Sequence, residues 1–201
     1  MSQRLIKGLF FICTFFILIP SMLFAGEPTD RVKAPLDKVI AIISDPAMKA
    51  QAMKDKRDQM VMDAIKDVFN WEEFSRRALA QNWKKLDDSQ KQAFIAVFSQ
   101  LVERTYMSKS NQYSGGKVEF LDEKIDGDYA KVSIKYITTS GTQTPVDFMM
   151  IKKNGVWWGY DVNIEGISIV ANYRSQFNDF LLKSSFDDLL KRLKEKIEKG
   201  E

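Results

Sequence analysis

Residues 129–164, YAKVSIKYITTSGTQTPVDFMMIKKNGVWWGYDVNI, decide the fold because apolar side chains recur there at every second position. At the start of this stretch one face is apolar, and the opposite face carries lysine and serine. The apolar face comprises Ala130, Val132, Ile134 and Tyr136. Successive side chains of a strand point to opposite faces of the sheet, so this period predicts a strand with one buried face.

The same alternation continues on both sides of this strand, with turn signals between the segments. Apolar positions recur at Val118 and Phe120, then at Val146, Phe148 and Met150, and finally at Val156, Trp158, Tyr160, Val162 and Ile164. The turn signals are IDGD at 125–128, Ser140-Gly141 and Asn154-Gly155. Tight turns join antiparallel neighbours. We therefore predict four strands in meander order over residues 116–165, ended by Gly166.

Apolar residues recur at helical spacing over residues 35–111 and 167–199. After a polar lead-in at 26–34, Pro35 opens a short helix with apolar residues at Val39, Ile40 and Ile43. Further helices are predicted within 51–69 (apolar face Met60, Val61, Ala64, Ile65, Val68), from Trp71, after an N-cap at Asp87 or Asp88, from about Ile167 to Leu182, and over 186–199. The predicted class is α+β, with several helices packed on one face of a twisted four-stranded antiparallel sheet.

The first 25 residues have the layout of a secretory signal peptide. Arg4 and Lys7 precede an apolar run, and Ala25 is a small residue at a plausible cleavage point. An uncleaved membrane anchor is the alternative, since the run is nearly long enough to span a bilayer. We expect cleavage near Ala25, export, and a single domain over residues 26–201.

Composition excludes several kinds of chemistry. The chain has no histidine, and its only cysteine, Cys13, lies in the predicted leader. Ser-His and Cys-His nucleophiles and His/Cys metal sites are therefore excluded. A carboxylate pair, a Ser-Lys pair and an oxygen-ligated hard metal remain possible, but Asp126-Gly127-Asp128 is better explained as a hairpin turn than as a calcium loop. Without the leader, 28 basic and 27 acidic residues remain, so nothing points to nucleic acid as a partner.

Two groups of residues have more than one interpretation at this stage. The apolar stripes of the helices and the sheet form a solid core or the wall of a ligand cavity, and periodicity alone favours the core. Arg76-Arg77 and Arg174 either form ordinary salt bridges or hold a phosphate by paired hydrogen bonds.

Six segments, taken in order, resemble one known family. They are WEEFSRRAL…WKKL (71–86), SQKQAFIAVFSQLVERTY (89–106), YSGGKVEFL (113–121), TPVDFMM (144–150), GVWWGYDVNIEGISIVANYRSQF (155–177) and FDDLLKRLK (186–194). Together they are similar to the periplasmic phospholipid-binding proteins of the Mla (toluene-tolerance) lipid transport system. No single segment is diagnostic, but their order and spacing cover nearly the whole exported chain.

The resemblance implies a soluble periplasmic carrier that binds phospholipid and helps to maintain outer-membrane lipid asymmetry, with no enzymatic activity and no cofactor. The implied partners are an outer-membrane lipoprotein and porin complex and an inner-membrane ABC transporter complex with its substrate-binding ring. Acyl chains would lie between the sheet and the helices. The candidate cavity residues are Phe94, Phe98, Leu101, Val132, Ile134, Tyr136, Phe148, Met150, Tyr160, Val162, Ile169, Tyr173 and Phe177, and the candidate headgroup rim is Arg77, Asn172 and Arg174.

Two other functions stay open on the residues alone. A hydrolase that uses carboxylates would require a carboxylate pair, and the sequence indicates no candidate pair. A ligand-free envelope adaptor would have a solid core, so that Val132→Trp would unfold it, whereas a carrier would keep its fold and lose its cargo.

Overall fold

The computed structural model describes residues 27–107 and 116–199 and shows an α+β fold built on one antiparallel sheet. The predicted leader with its cleavage point near Ala25, Cys13, and the end of the predicted helical region at Asn111 lie outside the described residues. The strands follow the order of the chain and are β1 (Lys117–Asp126), β2 (Tyr129–Ile137), β3 (Gln143–Lys153), β4 (Val156–Ile164) and β5 (Ile167–Ser168). The predicted meander is confirmed, but the predicted number of strands is wrong by one.

The sheet does not end at Gly166, as was predicted, because Gly166 lies in a turn that leads into a fifth strand. Glu165 and Gly166 both have positive φ, at 51° and 81°, and form a tight turn after β4. Ile167 and Ser168 then pair with Ile164 and Asn163. Two residues are too short for a period-two pattern, so this strand has no signal in the sequence.

A β-bulge in β4 overturns the predicted alternation from Val156 to Ile164. Met149 pairs with Asp161 and Met150 with Gly159, which leaves Tyr160 without an opposite residue. Gly159 and Trp157 therefore lie on the face of Val162, where Tyr160 and Trp158 were expected. Trp157 is buried, whereas Trp158 is only partly buried.

Six α-helices and three short 3₁₀ helices (Pro46–Met48, Gln51–Met53 and Ala80–Lys85) accompany the sheet within the described residues. The α-helices, in chain order, are α1 (Glu27–Ser44), α2 (Lys54–Ile65), α3 (Trp71–Leu79), α4 (Asp88–Met107), α5 (Ile169–Leu181) and α6 (Phe186–Lys199). Asn70, Asp87 and Ser168 accept hydrogen bonds from the first backbone amides of α3, α4 and α5, as N-caps do. In α2, Val61 is buried but Met60 is exposed, contrary to the predicted stripe. Across residues 27–107 and 116–199, no helix combines the length and apolarity that a membrane span requires.

Helix α1 starts eight residues before the predicted position, so the expected polar lead-in at 26–34 is wrong. Pro35 lies inside the helix. Contacts with the sheet stabilise the first turns, because the amide and the hydroxyl of Thr29 both donate to the carboxylate of Glu123 in β1, at 2.7 and 2.6 Å. Glu27 accepts from Lys152 Nζ at 2.9 Å and from Trp157 Nε1 at 3.2 Å. Local sequence does not show these long-range bonds.

An aromatic core joins α3, α4 and α5 over one half of the sheet. The ring of Phe98 lies 5.2 Å from that of Phe94, 4.9 Å from Tyr173 and 5.2 Å from Phe177, measured between centroids. Tilted and edge-to-face pairs of this kind stabilise a core beyond the area they bury. This half of the protein is solidly packed.

Asp161 connects the sheet to α5. Its buried carboxylate accepts hydrogen bonds from the amides of Val162 and Val170, at 2.8 and 3.0 Å, and from the hydroxyl of Ser168. The same hydroxyl caps α5 by accepting from the amide of Ala171 at 2.9 Å. Asp161 of β4 and Ser168 of β5 thus fix the direction in which α5 leaves the sheet.

Gly159 permits a close approach between β4 and the segment before α3. Its carbonyl accepts from the amide of Asn70 at 2.9 Å, and its amide donates to Val68 at 2.8 Å. A Cβ at this position would lie 2.7 Å from the ring of Phe69. Only glycine fits without displacement of that ring.

We expect Gly159→Ala to lower the free energy of unfolding by about 2 kcal/mol, because overpacking a filled site forces side chains out of place. Urea denaturation measures the change. In a Phe69→Leu background the cost of Gly159→Ala should be smaller, since the obstructing ring is gone. An equal cost in both backgrounds would show that the ring is not the reason for the glycine.

Candidate functional site

Two adjoining apolar pockets lie between α1, α2, α4 and the sheet. The larger has a volume of about 230 Å³ and extends to the start of α3, and the smaller has about 170 Å³ and extends along α1 towards β1. The residues that line both are Leu36, Val39, Tyr106, Tyr136, Val146 and Phe148. Shared walls make the two pockets parts of one apolar space.

The outer wall of this space is the apolar stripe of α1. Leu36, Val39, Ile40 and Ile43 recur at helical spacing and face the sheet. Of these four, only Ile43 is fully buried. The two pockets beneath the stripe show that it covers the sheet without filling the space between helix and sheet. The polar bonds of α1 to the sheet come from its first turns, at Glu27, Thr29 and Arg31.

The walls carry few polar groups. Beside the hydroxyls of Tyr106, Tyr136 and Thr144, the larger pocket is lined by Glu103 of α4, the one residue with a charged side chain among the described residues that line either pocket. Burial raises the pKa of Glu103, and Lys66 at the end of α2 opposes that rise. Burial also raises the pKa of Tyr106.

The thirteen candidate cavity residues fall into three groups. Those that line the pockets are Ile134, Tyr136, Phe148, Val162 and Ile169. Those in the solid core away from the pockets are Phe94, Phe98, Leu101, Val132, Met150, Tyr173 and Phe177. Three of the second group, Leu101, Tyr173 and Phe177, also border a surface groove between α5 and α6 that is lined by apolar and polar residues alike. Tyr160, at the bulge, lies beside neither pocket, and its ring packs under the guanidinium of Arg77 at 3.9 Å.

The three candidate rim residues do not line the pockets. Arg77 donates to Glu73 at 2.7 Å, and Arg174 donates from Nε to the backbone carbonyl of Arg77 at 2.9 Å. Asn172 is exposed on α5 and accepts from Gln176 at 3.3 Å. Both arginines therefore have structural partners where α3 meets α5.

The pocket walls contributed by α1, α2 and α4 were not predicted from the sequence. The helical spacing of Val39, Ile40 and Ile43 placed them on one face of a helix, but it did not show what that face covers. Ile65, Trp71, Val102, Glu103 and Tyr106 also line the larger pocket and were not predicted to do so. The only signal was the apolar spacing, which is the same for a filled and an unfilled interior.

The Glu73 carboxylate forms the most concentrated charge network among the described residues. Its side chain is 2% exposed and accepts from Arg76, from Lys153 at 2.8 Å and from Arg77 at 2.7 Å. Burial alone would raise the pKa of Glu73, but the three cationic donors outweigh burial and lower the pKa to about 2. The network ties α3 to the end of β3. No group of three or more His, Cys, Asp or Glu residues suited to a metal ion occurs within the described parts of the chain.

Comparison with known proteins gives consistent matches across the chain. The model of the family described as "MlaC protein" matches residues 33–195. The intermembrane phospholipid transport system binding protein MlaC of Haemophilus influenzae is 21% identical over 190 residues, which covers 92% of this chain and 89% of that protein.

A solved structure also has this fold. The phospholipid-binding protein from Ralstonia solanacearum, determined in complex with a phospholipid, matches with a TM-score of 0.77 at 23% identity. The match covers 87% of this chain and 99% of that one. At this identity the match establishes the fold.

The Glu73 network predicts a pH-dependent contribution to stability. At pH 7, Glu73→Gln should lower the free energy of unfolding by about 3 kcal/mol, because three cations lose their shared buried anion. The folded-state pKa of about 2 lies below the ordinary 4.5, so the unfolded chain takes up the proton first as the pH falls. The contribution is complete above about pH 4.5 and is lost as the pH falls towards 2.

Urea denaturation from pH 7 to pH 2.5 measures this difference, and the wild-type and variant stabilities should converge at the acid end. The matched control is Asp37→Asn, which breaks an exposed i,i+4 pair with Lys33 and should change stability by less than about 0.5 kcal/mol. A constant difference over the whole range would contradict the role given to Glu73.

Proposed function

Because the family model matches residues 33–195, this chain belongs to the MlaC family, and from that premise we propose that it is a periplasmic phospholipid carrier. The observation that supports this proposal most strongly is the apolar space between α1 and the sheet. The acyl chains lie in that space, against Tyr136, Phe148, Val162 and Ile169, and along the α1 stripe.

The physical need for such a carrier is large. Exposure of two acyl chains to water costs on the order of 20 kcal/mol, at roughly 0.8 kcal/mol per methylene group. Inside an apolar pocket the chains lose little relative to a bilayer. The free energy of transfer of a lipid from a membrane to the carrier is then close to zero, and no catalytic group is required.

The pockets in their present form hold only part of such a cargo. Their volumes of about 230 and 170 Å³ compare with roughly 300–1,000 Å³ for sites that bind drug-sized ligands, which are smaller than a phospholipid. We propose that α1 moves outward when lipid enters. Its first turns are bonded to Glu123 and Lys152, so its C-terminal half, which forms the pocket wall, is the part that moves.

The carrier exchanges lipid with an outer-membrane lipoprotein and porin complex and with an inner-membrane ABC transporter complex and its substrate-binding ring. Support for these partners comes from the family and from the name of the Haemophilus relative, an intermembrane phospholipid transport system binding protein. The sequence has no nucleotide-binding motif, so the energy for a direction of transport comes from a partner.

Substitutions at two valines test whether the protein is a lipid carrier or a ligand-free adaptor. Val146 is half-buried and lines both pockets, whereas Val132 is 0% exposed and lies in the solid core. We expect Val146→Trp to keep the fold and to lose lipid, because the indole occupies the space of the chains. Val132→Trp should unfold a carrier and an adaptor alike, so Val146 is the position that discriminates.

The measurement is native mass spectrometry of protein purified from the periplasm without detergent, followed by solvent extraction. The wild-type protein should carry a stoichiometric adduct of phospholipid mass, and Val146→Trp should carry none while its circular dichroism stays unchanged. A lipid-free wild-type protein that also takes up no lipid from vesicles would refute the carrier proposal.

A further inference from the structure

Glu103 is an unusual residue for the wall of an apolar pocket. It is half-buried on α4, and the side chains around the same pocket include Phe69, Trp71 and Tyr106. Within residues 27–107 and 116–199, no hydrogen bond or salt bridge compensates its carboxyl group. Lys66 acts on it electrostatically from the end of α2, but the ammonium of Lys66 is bonded to Asp63 at 2.9 Å.

A carboxyl group in such a place lowers stability unless a ligand pairs with it. Removal of a carboxylate from water costs free energy that a cation or a hydrogen-bond donor must offset. Hydrocarbon chains offer neither. An acid on this wall therefore points to a ligand whose polar part, and not only its chains, reaches this pocket.

The aromatic residues that line the same pocket as Glu103 indicate the chemistry of that polar part. The rings of Phe69 and Trp71 lie 5.3 Å apart, and Tyr106 follows Glu103 by one turn of α4. Aromatic faces attract cations, and carboxylates pair with them, so aromatic residues together with an acid suit an ammonium group. The same surroundings repel a headgroup whose only charge is its phosphate.

We propose that Glu103 selects the headgroup of the cargo, favouring phospholipids whose head carries an ammonium group over those whose head is purely anionic. This inference rests on the proposed carrier function and adds the substrate class to it. It also places the headgroup at the α2–α4 end of the pocket. Arg77, Asn172 and Arg174, the rim expected from the sequence, do not line this pocket.

The test is a competition between two lipids. Full-length mature protein, stripped of lipid, is incubated with vesicles of equal parts phosphatidylethanolamine and phosphatidylglycerol, and the adducts are resolved by native mass spectrometry. Wild-type protein should hold phosphatidylethanolamine in about tenfold excess, the size expected for a hydrogen bond to a charged group. Glu103→Gln should bring the ratio close to one, and Glu103→Lys should reverse it.

The matched control is Glu195→Gln, which removes the same charge from an exposed position on α6 and should keep the wild-type ratio. Total lipid bound and the thermal midpoint distinguish a change of selectivity from a loss of fold. Free phosphoethanolamine in excess identifies the source of the ammonium group. An unchanged lipid ratio assigns it to the lipid head, whereas loss of the preference for phosphatidylethanolamine would show that a free ammonium compound occupies the site and would overturn that assignment.

The two proposals fail in different ways. Uptake of both lipids in vesicle proportion by wild-type protein and Glu103→Gln alike would refute headgroup selection and leave the carrier standing. Uptake of neither lipid by any variant would refute the carrier, and headgroup selection with it.

Discussion

The apolar face of the sheet must be covered, and two sets of helices cover it to different depths. Over one half, α3, α4 and α5 bring an aromatic core against Val132 and Met150, both of which are 0% exposed. Over the other half, α1 presents a stripe that leaves space above Val146 and Ile164. One hydrophobic surface therefore supplies both the stability of the protein and its candidate binding site.

This division explains where the strong polar interactions lie. Glu73 with its three cations, and Asp161 of β4 with its bonds to the start of α5, both secure the solid half. The half of the sheet that α1 covers is the hollow half. Its polar bonds lie at the beginning of α1, and the rest of α1 presents an apolar wall. A buried ion pair has a fixed geometry, whereas an apolar contact tolerates displacement at modest cost. The hollow half is the one that can adapt to a guest of variable shape.

Local sequence determined most of the fold but little of the site. The meander followed from period-two alternation and from Asn154-Gly155 and the Asp-Gly turn at 126–127, because turns and strand faces depend on neighbouring residues. The bulge at Tyr160, the fifth strand and the early start of α1 depend on partners far along the chain, such as Glu123 for Thr29. The family resemblance led to the fold and to the function now proposed, but it did not show which apolar residues enclose space.

The pocket residues show why the spacing of apolar residues does not distinguish a filled core from a cavity. Phe98 and Phe148 have the same character in the sequence, each an aromatic residue on the buried face of its element. Phe98 faces three other rings, whereas Phe148 lines both pockets together with Leu36 and Val39 of the α1 stripe. Whether a buried side chain lies in a core or a cavity depends on the size of the residue opposite, and that residue is set by tertiary structure. Glu103 is a different kind of signal, because an acid on an apolar wall costs stability in the empty protein, and a guest with a cationic group would offset that cost.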